Sequence, residues 1–173
     1  MKLFFTSIKT TGIQKLISGK PENNKVLFIP TAANIYEDKW FVEEDKESWR
    51  KQGFELDSLD IAQTSEEEIL ARVGEANIIH FAGGNSFYLL HHFRLSGLYR
   101  LLPEFLNKGL IYSGASAGAV IAGPDIQPAD LLDDPNAAPE LKSTVGLNLT
   151  DFVILPHYGK RKYEDKYQQI LAK

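Results

Sequence analysis

No cysteine occurs in the 173 residues of this chain. Its absence removes disulfide bonds, a thiolate nucleophile and cysteine-based metal sites, and excludes a disulfide-stapled secreted scaffold. Long apolar runs are missing as well. The stretch Met1–Thr6 is too short for a signal peptide, and no later run approaches the roughly 20 residues a membrane-spanning helix needs. Nor is there an excess of positive charge. With 19 Lys and Arg against 23 Asp and Glu the formal net charge is −4, which argues against nucleic acid or an anionic membrane as the main partner. Neither a G-x-G-x-x-G nor a P-loop lysine is present, so nucleotide binding has no signature. These exclusions leave a globular protein whose default location is the cytoplasm.

What is present alternates. Short apolar, β-branched or aromatic runs fall at Leu3–Phe5, Val26–Ile29, Phe54–Leu56, Ile78–Phe81, Leu110–Tyr112 and Phe152–Leu155. Between them the pattern predicts helices at Ile8–Ser18, Asp38–Gln52, Ser65–Val73, Ser86–Phe93, Gly97–Asn107, Ala117–Ala122 and Arg161–Ala172. Continuous apolar strands belong in a sheet covered on both faces. Strict alternation with helices makes that sheet mostly parallel, so the expected fold is α/β, a three-layer αβα sandwich in one domain. Ligands and chemistry in such sheets gather outside the carboxyl ends of the strands.

The residues after each run are therefore the candidates. After Leu110–Tyr112 the chain reads Gly114-Ala115-Ser116-Ala117-Gly118, a G-x-S-x-G between strand and helix. A nucleophilic serine on such a turn needs flanking glycines, because backbone crowds it from both sides. The plain alternative is a small-residue turn with a helix-capping serine. An aliphatic hydroxyl needs a base beside it, and the chain has only His80, His91, His92 and His157. His80 falls within an apolar strand and reads as buried and hydrogen-bonded, and His91 and His92 lie mid-helix. His157 directly follows the Phe152–Leu155 run, so it is the candidate base at the same sheet edge. After Ile78–Phe81 comes Gly83-Gly84-Asn85, where bare backbone N–H groups at a helix start suit an oxyanion. Asn85 is a candidate substrate donor or else a helix N-cap, and Tyr158 is a candidate pocket wall or else packing. The proline- and aspartate-rich stretch 123–143 is long for a connection and reads as a flap over the site. Lys160, Arg161 and Lys162 read as a solvated, basic helix entry.

Phe81-Ala82-Gly83-Gly84-Asn85-Ser86-Phe87, Tyr112–Ala119, Pro156-His157 and the earlier Ile29-Pro30-Thr31-Ala32 stand in an order that resembles the dipeptidase E and cyanophycinase family of serine peptidases, relatives of the class I glutamine amidotransferase fold. The resemblance implies a flavodoxin-like sandwich, no metal and no organic cofactor, a small peptide as substrate, and a monomer or homodimer. It maps Ser116 to the nucleophile, His157 to the base, and the N–H groups of Gly84 and Ala117 to the oxyanion hole; Gly83, Asn85 and Tyr158 are substrate-binding candidates from the residues themselves. One departure stands out. The family orients its histidine with an acid, usually a glutamate, on a later strand. The expectation is thus a single domain over residues 1–173 without the family's C-terminal strand segment: either the sequence is truncated, or Asp125, Asp130, Asp133 or Asp134 stands in for the acid, or a Ser–His dyad acts alone. Two other functions share the residues: a catalytically impaired binding protein of this fold, and a carboxylesterase.

Overall fold

The computed structural model describes residues 1–8 and 10–172. Five strands form one sheet: β1 (Lys2–Thr6), β2 (Lys25–Ile29), β3 (Glu55–Ser58), β4 (Ile78–Phe81) and β5 (Ile111–Ala115). Every pairing is parallel and the spatial order is β1-β5-β4-β2-β3. The helices are α1 (Trp40–Arg50), α2 (Glu66–Glu75), α3 (Ser86–Leu95), α4 (Leu98–Asn107), α5 (Ala117–Val120) and α6 (Glu164–Leu171).

Side-chain alternation explains the layering. Successive residues of a strand point to opposite faces. Leu27, Ile29, Ile79, Phe81 and Tyr112 face one way and pack with apolar residues of α2, α3, α4 and α5. Val26, Phe28, Ile78 and Ile111 face the other way, against Val42 and Trp49 of α1 and against Ile13. Both faces are covered, so the αβα sandwich is the fold.

The register aligns the functional edge. Ile29 pairs with Phe81, and Phe81 with Gly114. Thr6 pairs with Ala115. The residues following β2, β4 and β5 therefore emerge side by side.

Two predicted elements are corrected. In the helix expected over Ile8–Ser18, Lys9 lies outside the described residues, Ile8 is not helical, and only a 3-10 turn forms, Ile13–Lys15. Gly12 is left-handed (φ 100°) and stops any longer helix. Thr10 is spent on tertiary bonds, its N–H and hydroxyl meeting Ser48 Oγ at 3.1 Å each. The strand expected at Phe152–Leu155 is irregular chain instead. Its apolar side chains are half out of the core, Phe152 being 57% exposed. The Phe152 carbonyl accepts the Thr150 hydroxyl rather than a ladder N–H, and Pro156 has no N–H to give.

Candidate active site

Ser116 stands between β5 and α5 at φ 46° and ψ −105°, a conformation that L-residues seldom adopt. Four hydrogen bonds hold the turn. Its N–H donates to the Thr6 carbonyl at 2.9 Å. The Ala119 and Val120 N–H groups donate to its carbonyl. The Tyr112 hydroxyl donates to the Gly118 carbonyl at 2.6 Å, fixing the start of α5. Both motif glycines are required by space. A Cβ on Gly114 would stand 2.3 Å from the Gly118 carbonyl oxygen, and one on Gly118 would stand 2.2 Å from that of Phe81.

His157 meets this serine. Its Nε2 is 2.9 Å from Ser116 Oγ. The residue is half-buried and left-handed (φ 72°), and it follows the irregular segment described above. Its other nitrogen, Nδ1, is buried and has no hydrogen-bond partner among the described residues. None of Asp125, Asp130, Asp133 or Asp134 therefore accepts a bond from it. Burial, then the nearby Lys160 and Lys162 charges, hold the imidazole below its ordinary pKa.

Gly83 and Gly84 lie beside the serine. A Cβ on Gly83 would touch Ser116 Cβ at 3.4 Å. Gly84 has φ 145°, and a Cβ there would stand 2.2 Å from the Ala32 carbonyl oxygen. Among the described residues, neither the Gly84 nor the Ala117 N–H has a backbone acceptor. The sheet order makes this juxtaposition, since β4 and β5 are neighbours.

Two expected substrate residues are placed differently. Asn85 is fully buried. Its Oδ1 accepts the Tyr88 N–H and its Nδ2 donates to the Asp134 carbonyl, both at 2.9 Å, so it caps α3 and pins the following loop. Tyr158 is 73% exposed and packs edge-on against Tyr167, outside the pocket wall.

The pocket itself is about 580 Å³ and contains Ser116, His157, Gly83 and Gly84. Sequence reading missed most of its rim. Trp40 and Phe41 come from α1, Tyr163 and Lys166 from the chain's last helical stretch, and Leu132 and Asp133 from the loop after α5. That loop does reach the site, as the expected flap should. Asp133 is pushed up in pKa by burial, with bonding to Ser86 pulling the other way, and its Oδ2 accepts the Ser86 N–H at 2.9 Å. Lys160 and Lys162, expected to be solvated, are exposed but also line the pocket. None of these carries a local motif.

His80, as expected, is buried and saturated: Nδ1 lies 2.8 Å from Ser113 Oγ and Nε2 2.8 Å from Asp45 Oδ2. Among the described residues no group of three or more His, Asp or Glu could hold a metal ion, and no helix is long and apolar enough to cross a membrane.

Comparison with known proteins finds relatives by sequence and by fold. The sequence profile of peptidase family S51 matches residues 7–173. An uncharacterized peptidase, PM1590, of Pasteurella multocida is 33% identical over 154 residues, covering 89% of this chain and 74% of that one. A Nostoc protein named peptidase E is 33% identical over 134 residues, 78% of this chain and 52% of its own. A crystal structure from Listeria monocytogenes, provisionally named a peptidase E, superposes with a TM-score of 0.93 at 34% identity, covering 99% of this chain and 87% of that one.

Proposed function

The chain belongs to peptidase family S51 and is a serine peptidase, and from that premise we propose that it cleaves short peptides with Ser116 as nucleophile and His157 as general base. The observation that carries this reading is the 2.9 Å contact between Ser116 Oγ and His157 Nε2 on a strained strand-to-helix turn. Ser116 Oγ attacks the scissile carbonyl carbon as its proton passes to His157 Nε2. The Gly84 and Ala117 N–H groups receive the resulting oxyanion. The C–N bond then breaks, His157 returns the proton to the departing amine, and water releases the acyl group by the same steps.

A fluorophosphonate probe tests the assignment. It should label the wild type at Ser116 and leave Ser116→Ala unlabelled. An unlabelled wild type that also cleaves nothing in a dipeptide library would overturn it. The unpartnered Nδ1 of His157 favours a second reading, a binding protein of this fold with impaired chemistry. Its signature would be a ligand that raises Tm without being turned over.

A further inference from the structure

Among the described residues, His157 has one polar contact on its ring, the Ser116 hydroxyl, and a single contact leaves an imidazole free to swivel. What flattens it is Tyr163. The two rings stack with centroids 5.4 Å apart and planes 15° from parallel. The backbone beneath is held by the same stretch of chain. Tyr167, one turn further into α6, donates its hydroxyl to the Pro156 carbonyl, and Lys160 N–H donates to the His157 carbonyl at 3.1 Å. A residue with φ 72° persists only where its surroundings enforce it. These contacts do so.

We propose that Tyr163 is a positioning residue for His157: its ring aims the imidazole at Ser116 and its π face stabilises the imidazolium formed during attack. The inference rests on the reading of His157 as the base. A cation over an aromatic face is attracted to its quadrupole, and here that attraction has work to do. Burial and the Lys160 and Lys162 charges oppose protonation of this ring. The groups facing the pocket from the elements around it are Asp38 and Asp45 at α1, Asp133 after α5, Tyr36, and Lys160, Lys162 and Lys166. The Lys162 and Lys166 ammonium groups lie over the Tyr163 ring itself, 5.3 and 5.9 Å from its centroid.

Tyr163→Leu and Tyr163→Phe separate the ring from its bulk. Leucine keeps the imidazole covered but has no π face. In Tyr163→Leu, kcat should fall about tenfold with little change in KM. The His157 titration followed by NMR should move down by roughly half to one pH unit, because the cation loses support. Tyr163→Phe should restore both. A Leu variant with wild-type kcat and an unmoved titration overturns the proposal, and so does a Phe variant as impaired as Leu, which would assign the effect to the hydroxyl. If Tyr163→Leu does not fold, Tyr163→Trp replaces it: the titration should rise from Phe to Trp, and equal values overturn the proposal. The NMR titration needs no turnover. A wild type that fails to label with fluorophosphonate therefore defeats the catalytic reading separately from the stack.

Discussion

Two glycines of this chain show how differently one residue type is used. Gly118 is boxed in by the Phe81 carbonyl, 2.2 Å from where a Cβ would sit. Gly118→Ala must therefore push α5 away from β4, which should cost about 2 kcal/mol or more and displace Ser116. A lowered Tm together with lost probe labelling checks this, and a Tm equal to wild type would refute it. Gly74 sits exposed near the end of α2, where a Cβ would meet nothing nearer than 3.8 Å. Gly74→Ala should stabilise by about 0.5–1 kcal/mol through helix propensity alone, read as a higher urea midpoint with unchanged activity. For His157 the sign follows from its environment. Its folded pKa is depressed by burial and then by Lys160 and Lys162, so the neutral base survives below the usual 6.5 of histidine. The acid limb of kcat/KM should lie below that value, and the double variant Lys160→Gln, Lys162→Gln should raise it. A limb that stays put in that variant removes the lysines as the cause. The same depression adds stability that is present above the unfolded value and fades as pH falls through the folded one.

Elements are tied across the sheet by a buried polar chain, Asp45 of α1 to His80 of β4 to Ser113 of β5. All three residues are at most 2% exposed, so losing one leaves a buried polar partner without its bond. Asp45→Ala should destabilise by about 3 kcal/mol, because it strands a buried imidazole nitrogen. Asp45→Asn, which keeps a group able to bond there, should lose less. Chemical denaturation of both variants measures the difference, and equal losses would mean that packing rather than bonding holds α1. This network also marks where sequence reading succeeds. His80 was legible as buried and bonded because it interrupts a run apolar on both faces. The strands β2, β4 and β5 were legible for that same reason. Phe152–Leu155 has an identical local pattern but pairs with nothing in the sheet, because pairing is set by distant residues and not by the run itself. The Ile8–Ser18 helix failed through Gly12 and through Thr10, whose partners Ser48 and Gln52 lie some forty positions away.

At the scale of the whole molecule, the site is assembled from pieces of unequal legibility. Ser116, His157 and Gly84 could be read from sequence because each follows an apolar run and has a chemistry of its own. Tyr163, Asp133 and Trp40 could not, because an aromatic or acid becomes a wall only once α6, the loop after α5 and α1 have docked around the sheet edge. On the proposed function, that docking limits which substrates reach Ser116. The pocket of about 580 Å³ lies between α1, the loop carrying Leu132 and Asp133, and the stretch Lys160–Lys166, and its volume falls within the range typical for small ligands. A di- or tripeptide fits such a space, whereas a folded protein or long chain would have to part three elements to bring its carbonyl to Ser116. Cleavage should therefore fall steeply with peptide length: dipeptides and tripeptides of one composition should be hydrolysed with kcat/KM at least tenfold above a decapeptide. That ratio corresponds to only about 1.4 kcal/mol of transition-state binding lost to displaced walls. Parallel kinetics on such a series, with casein as the limiting long substrate, measures it. Equal or faster turnover of the decapeptide or of casein would mean that the walls open readily, and that the loop after α5 does not bound the site.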